Sequence, residues 1–431
     1  MSKLPIDLRS LIPTKYLNHL EQIDSALKGE GFECYLVGGS VRDLVMGKTP
    51  KEYDLTTNAE PKQVKRLFRT VIDTGIEHGT VTVVLDRINY EITTYRIDKD
   101  YTDGRRPDHV EFGTTLSEDL KRRDFTMNAL AFDISTGLLV DEHFGQKDIQ
   151  ERTIRTIGNP IQRFSEDGLR PIRALRFAST LDFVIEPETK KAIHETKQIT
   201  KKISLERFQD EVLKSFLGPY PSRMIQLLVE ENIFQIFLPN LPKLLSIKNH
   251  VLERLDKTSK DLIGLQLALA FFAILDDISI KEVESILRTL KFSGQNIKDC
   301  LLFFDFLTKW EKMESEAKEN EFILKKEYLA PVKRHFQTRL PIDKELILKL
   351  EPIFGKTTLQ ILRIWEEKPP LLLTDMKLNG NHLAESYPEL AKTKYGILLN
   401  QLLELVLRSP KENEYSRLLQ HSAHFISNLI K

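Results

Sequence analysis

Apolar residues at Leu17, Leu20, Ile23 and Leu27 recur with helical spacing, and the pattern stops at Gly29 and Gly31. This predicts an amphipathic helix from Thr14 with a glycine stop. Cys34 to Val37 reads as a buried strand, followed by two glycines and a short helix opening at Ser40. Pro61 to Val71 predicts another amphipathic helix. Thr80 to Leu85 and Tyr90 to Tyr95, with a turn near Asp86 to Asn89, predict a hairpin. A polar loop from Asp98 to Pro107 interrupts the sheet before Val110-Glu111-Phe112 resumes it. Beyond about residue 150 strand signals fade, and helix follows helix through Leu175, Val212, Leu227, Leu267, Leu301 and Leu402. The expected architecture is an α/β catalytic head at residues 1–150, then an all-α neck at 151–220, body at 221–340 and tail at 341–431.

The most apolar run, Leu262 to Leu275, contains Gln266 and lies between Asp261 and Asp276. It is shorter than the ~18 residues of a membrane span, so a buried core helix is expected and no membrane association. Met1 to Leu17 alternates charged and apolar residues, so no signal peptide is expected. Glu311 to Glu321 reads as a solvated helix or linker. Across 431 residues, 63 Lys and Arg balance 63 Asp and Glu, so a nucleic-acid partner must meet a local basic surface. Cys34 and Cys300 are too few for a disulfide framework or a zinc knuckle, and a reducing, cytoplasmic setting is expected.

The chemistry-bearing pattern is Gly38-Gly39-Ser40-Val41-Arg42 followed by Glu52-Tyr53-Asp54. Two glycines after a strand let backbone amides approach an anion at a helix start. Arg42 adds a full charge with forked donors. If Glu52 to Asp54 is extended, alternation sends both carboxylates to one face and Tyr53 to the other. Two hard oxygen ligands beside a phosphate cradle suit Mg2+. A glycine pair alone would be read as a plain turn; the carboxylates change that.

Four ordered segments carry a family resemblance. They are the glycine turn with Glu52 and Asp54, the loop Arg96 to Phe112, the run Leu120 to Ala129, and Arg163-Phe164-Ser165-Glu166-Asp167-Gly168-Leu169-Arg170. Together they resemble the bacterial, class II tRNA nucleotidyltransferases and the related bacterial poly(A) polymerases. The likeness covers roughly residues 30–218 and continues more weakly through Leu378-Asn379-Gly380-Asn381 and the helix Leu399 to Leu407. It implies that Glu52 and Asp54 hold Mg2+, that Gly38, Gly39 and Arg42 meet the triphosphate, and that Arg123 contacts the nucleotide. Glu91 is a possible third carboxylate. The resemblance assigns base templating to Glu166, Asp167 and Arg170, and sets Arg173 and Arg176 near the nucleotide. The loop Arg96 to Pro107 matches one that enzymes adding only C have shortened.

The activity this implies is addition of C, C and A to tRNA 3' ends from CTP and ATP, with no obligate protein partner evident. An A-adding enzyme and a poly(A) polymerase remain as alternatives, and so does a catalytically weakened RNA-binding protein. RNA docking is expected on the helical tail at 341–431 and on Lys190, Lys191, Lys197, Lys201, Lys202 and Arg207. One departure bears on the metal site: the family pattern has aspartate where this chain has Glu52. Pro171 implies that its helix begins close to Arg170.

Overall fold

The computed structural model describes residues 7–99, 109–239, 247–337 and 343–429. The chain packs as two compact units, Met1–Pro242 and Lys243–Lys431. In the first unit, Thr14–Gly29 is the expected first helix, with Leu20, Ile23 and Leu27 wholly buried. The strands are β1 (Tyr35–Val37), β2 (Asp54–Thr57), β3 (Val71–Gly75), β4 (Thr80–Leu85), β5 (Ile88–Thr94), β6 (Arg96–Lys99), β7 (His109–Phe112), β8 (Ala131–Phe132) and β9 (Leu139–Val140). Seven of them form one mixed sheet in the order β3-β4-β5-β2-β1-β8-β9. The predicted hairpin is β4–β5, with Asp86 and Arg87 both left-handed at φ 48° and 64°. That backbone matches the right-handed twist of the flanking strands.

Strands β6 and β7 form a separate antiparallel ribbon running Arg96↔Phe112 to Lys99↔His109. The centre of the predicted loop, residues 100–108, lies outside the described residues.

Two expectations need correction. The helix from Pro61 ends at Leu67, and Val71 opens β3, pairing with Val83. The β-branched pair Val71-Ile72 is better served at a sheet edge than in another helical turn. Past residue 150, β10 (Thr153–Ile154) and β11 (Val184–Ile185) pair in parallel. Strands of two residues are too short to leave a period in the sequence.

The rest of the first unit is helical. Pro160–Glu166 starts with Asn159, whose side chain accepts from the Gln162 amide, and with Pro160 in the first turn. Helix Leu169–Leu181 follows after two residues. Pro171 is its third residue, so the missing N–H falls where no intrahelical acceptor exists. Gly168 is required by close approach: a Cβ there would stand 2.6 Å from the Ile199 carbonyl oxygen. Helix Leu205–Phe216 is capped by the Ser204 hydroxyl.

Among its described residues the second unit is helical. Ile263–Ile274 is the expected core helix, buried from Gly264 to Ile274. It lies against Gly294–Lys312 so closely that a Cβ on Gly264 would come 2.3 Å from Asp299 Cβ. Phe306, Trp310, Tyr328 and Phe354 pack edge to face or tilted in its core, with centroids 5.2 to 6.4 Å apart. The segment after Gly294–Lys312 contains a short helix, Ser315–Lys318, with no buried residue, as expected of a solvated stretch. Asn379 caps helix Gly380–Ser386, and the expected late helix runs Lys392–Arg408. No helix among the described residues is long and apolar enough to cross a membrane.

Candidate active site

Sheet register creates the site. Val37 on β1 pairs with Asp54 on β2, which pairs in turn with Glu91 on β5. The turn that follows β1 therefore opens beside the first residue of β2. Gly38 sits at φ 71°, ψ −136°, a conformation open to glycine and costly to any other residue. The Ser40 hydroxyl closes the turn by donating to the Val37 carbonyl at 2.8 Å. Beneath it, Val37, Leu120, Ala129, Ala131 and Ile157 form a buried cluster that fixes the platform.

Only Asp54 belongs to the strand; Glu52 and Tyr53 precede it, which corrects the expected extent of β2. The expected sidedness still results. Tyr53 is buried against Tyr16, ring centroids 5.2 Å apart, while Glu52 and Asp54 line a cavity of about 520 Å³. Burial, then Glu91 and Glu52, push the Asp54 carboxyl up to about 6, with Arg123 opposing. Glu91 acts on Asp54 in this way but does not line the cavity.

The same cavity is lined by Gly38, Gly39, Arg42, Arg122, Arg123, Asp124, Asn128, Asp167, Arg170, Arg173, Arg176, Phe177 and Lys214. It thus gathers two carboxylates, the glycine turn and the arginines named from sequence. Each arginine is gripped by a carboxylate. Arg42 donates to Asp43 at 2.7 Å and to Asn128 at 2.9 Å. Arg122 and Arg123 share the buried Asp119, at 2.7 and 3.1 Å. Arg173 reaches Asp124 at 2.7 Å, and Arg176 binds Glu211. Arg42, Arg173 and Arg176 also lie 5.3, 5.4 and 3.9 Å from the centroid of the Phe177 ring.

Burial alone would raise Asp124, but Arg173, with Asn128 and Arg170, brings it down to about 2. Asn128 donates to Asp124 at 3.2 Å while accepting from Arg42, so one hydrogen-bonded chain links the glycine-turn helix to Leu169–Leu181.

Glu166 binds Arg170, which also donates to the carbonyls of Arg163 at 2.8 Å and Arg122 at 3.1 Å. Asp167 accepts from the Leu169 amide at 3.0 Å and from Arg207 at 3.1 and 3.4 Å. Arg207 is therefore paired with Asp167 while staying partly exposed, a partner that the sequence did not reveal. Of the lysines expected beside it, Lys190 pairs with Glu231 at 3.5 Å and Lys191 with Glu195 at 3.8 Å, while Lys201 and Lys202 are exposed.

Sequence reasoning gave no role to Asp119, Asp124, Asn128, Phe177 and Glu211. Asp119 precedes Arg122 and Arg123 by three and four residues, across the end of helix Leu116–Lys121, and that spacing could have revealed the first. Glu211 lies 35 positions from Arg176, and no local signal marks it.

The poly A polymerase head domain matches residues 34–155, and the probable RNA and SrmB-binding site of polymerase A matches residues 182–244. The CCA-adding enzyme of Enterococcus faecalis is 38% identical over 356 residues, 80% of this chain and 85% of the relative. The chain belongs to the class II poly(A) polymerase/tRNA nucleotidyltransferase family.

Among family members, the Lactobacillus helveticus CCA-adding enzyme is 48% identical over 207 residues, 48% of this chain; the match spans about half (52%) of that relative's length. The crystal structure of the Bacillus stearothermophilus CCA-adding enzyme in complex with CTP superposes with TM-score 0.74 at 29% identity, covering 96% of this chain and 98% of that one. A mixed-sheet head followed by a largely helical remainder is thus the family's architecture as well as this chain's.

Proposed function

We propose that the protein is a CCA-adding tRNA nucleotidyltransferase, extending tRNA 3' ends by C, C and A from CTP and ATP without a nucleic-acid template and releasing pyrophosphate. The observation that carries the reading is one cavity lined both by the Gly38-Gly39 turn with Glu52 and Asp54 and by Asp167 with Arg170. Transfer chemistry and base choice then act on one nucleotide. The CTP complex of the Bacillus stearothermophilus relative supports the nucleotide class.

The donor set fits a divalent cation. Glu52 and Asp54 are hard oxygen ligands with no ion pair among the described residues, and the Asp54 carboxyl is raised by burial first and then by repulsion from Glu91 and Glu52, both of which a bound cation would offset. Mg2+ held there would acidify the RNA 3'-hydroxyl and offset charge on the phosphates.

The chain's own residues do the rest. The glycine-turn amides, Arg42 and Arg123 bind the triphosphate and stabilise charge growing on the departing pyrophosphate. Asp119, Asp43 and Asn128 hold those guanidinium groups in place before the nucleotide arrives, so little reorganisation is required during transfer. C and A each present an exocyclic amino donor beside a ring-nitrogen acceptor. Asp167 accepts from the amino group, and Arg170, held by Glu166, donates to the ring nitrogen. U and G present a carbonyl and a ring N–H instead, and each mismatched buried group costs about 1–3 kcal/mol.

The deciding assay uses tRNA ending before CCA, after C and after CC, each with labelled CTP or ATP. Addition of C, C and A in order is expected. Extension of the CC-ending substrate alone would identify an A-adding enzyme, and a long A tail a poly(A) polymerase; either rejects the proposal.

A further inference from the structure

We infer that Arg207 is a positioning residue for nucleotide choice, working through Asp167. The inference rests on the proposed function and extends it to a residue outside the cavity. Asp167 lines the cavity and Arg207 does not. Arg207 enters as a fork from helix Leu205–Phe216: Nη2 donates to Oδ2 at 3.1 Å and Nη1 to Oδ1 at 3.4 Å. The Leu169 amide takes Oδ1 as well, at 3.0 Å.

A carboxylate oxygen offers about two lone-pair sites. Oδ1 is thus filled by two donors, while Oδ2 carries one and keeps a site for the amino group of C or A. The two-point fork fixes the plane of the carboxylate and, with it, the direction of that remaining site. Asp167 adjoins the break between helices Pro160–Glu166 and Leu169–Leu181, where its backbone is extended at φ −141°. Without the fork, the contact left to its carboxylate among the described residues is the Leu169 amide, and one contact leaves the group free to swing. A swinging carboxylate withdraws from the carbonyl of U or G and no longer rejects it. Arg207 itself is anchored: it is the third residue of a helix whose first turn is capped by Ser204 and whose Glu211 grips Arg176.

The experiment measures kcat/KM for CTP and UTP, and KM for tRNA against salt, on tRNA ending before CCA. It uses wild type, Arg207→Ala, Arg207→Lys, Asp167→Ala and the Arg207→Ala/Asp167→Ala double variant. The wild type tests the functional reading alone: it must extend with CTP and reject UTP, and failure there sinks that reading whatever the variants do. Given that behaviour, Arg207→Ala is expected to lower the CTP-to-UTP preference about tenfold, within the range that mispaired polar groups supply. The tRNA KM and its salt dependence stay unchanged, Arg207→Lys restores part of the preference, and the double variant is no less selective than Asp167→Ala. An unchanged preference with a raised tRNA KM would make Arg207 an RNA contact and overturn the inference, as would losses that multiply in the double variant. Should Arg207→Ala fail to fold, Arg207→Lys decides: it keeps the charge and loses the fork, so an unchanged preference overturns the inference and a reduced one sustains it.

Discussion

The buried carboxylate of Asp119 takes the guanidinium of Arg123 at 3.1 Å, and Arg123 Nη1 stands 3.3 Å from where a Cβ on Gly38 would lie. Burial works against the charge on Asp119, yet Arg122 and Arg123 hold its carboxyl below the usual range. Asp119→Ala would leave two guanidinium groups without their shared anion. It is expected to cost about 3 kcal/mol in denaturant unfolding and to raise the nucleotide KM about tenfold, because Arg123 loses its aim.

Gly38→Ala probes the same contact from the other side. The backbone there is outside the range an alanine adopts without strain, and the new methyl meets Arg123. A stability loss of about 1–3 kcal/mol is expected, together with a fall in kcat/KM for CTP and ATP alike. An activity loss confined to one nucleotide would show that the turn reads bases instead of phosphates.

The carboxylate pair predicts a ligand effect that needs no turnover. Raising Mg2+ should raise the melting temperature of the wild type, whereas Asp54→Asn, freed of repulsion from Glu91 and Glu52, should melt higher without Mg2+ and respond to it little. Asp54→Ala abolishes nucleotide incorporation, and Glu52→Asp keeps or improves it, because one methylene of reach can be absorbed where Glu52 lies ahead of the strand. Undiminished incorporation by Asp54→Ala would remove it from the metal site.

These expectations also mark how far sequence could reach. The head was legible because its signals are local: a glycine pair after a strand, carboxylates two residues apart, a hairpin with a tight turn. The core helix Ile263–Ile274 was legible because it is apolar on all sides. What could not be read were pairings made by tertiary packing. Arg207 stands among lysines in sequence, yet helix packing directs it to Asp167, 40 positions away. Glu211 carries no motif, yet it is almost wholly buried and grips Arg176. Strands β10 and β11, two residues each, exist because they pair with each other.

Lys201 and Lys202 remain exposed, which suits phosphate contacts. Each such contact contributes roughly 0.7 to 0.9 to the slope of log K against log salt. The Lys201→Ala/Lys202→Ala double variant should therefore weaken tRNA binding and flatten that slope by about 1 to 2, measured by filter binding. Nucleotide preference should not change. A slope identical to wild type would return both residues to a merely solvated face.

Asp124 supplies a pH test. Its carboxyl falls from the usual 3.8 to about 2 because Arg173, Asn128 and Arg170 outweigh the burial that would raise it. A carboxyl depressed by folding stabilises the native state above its unfolded value, and that stability is lost as pH falls through the folded one. Asp124→Asn should accordingly be less stable than wild type by about 2 kcal/mol at pH 7, since each tenfold change in acidity corresponds to about 1.4 kcal/mol. The gap should close between about pH 4 and pH 2, where the wild-type carboxyl takes up its proton. Other carboxylates titrate in the same window, so the difference between the two proteins, followed by urea unfolding at each pH, is the informative quantity. A gap that stays constant down to pH 2 would mean that the Asp124→Asn variant fails through lost packing, with the charge of Arg173 balanced by Glu211 alone.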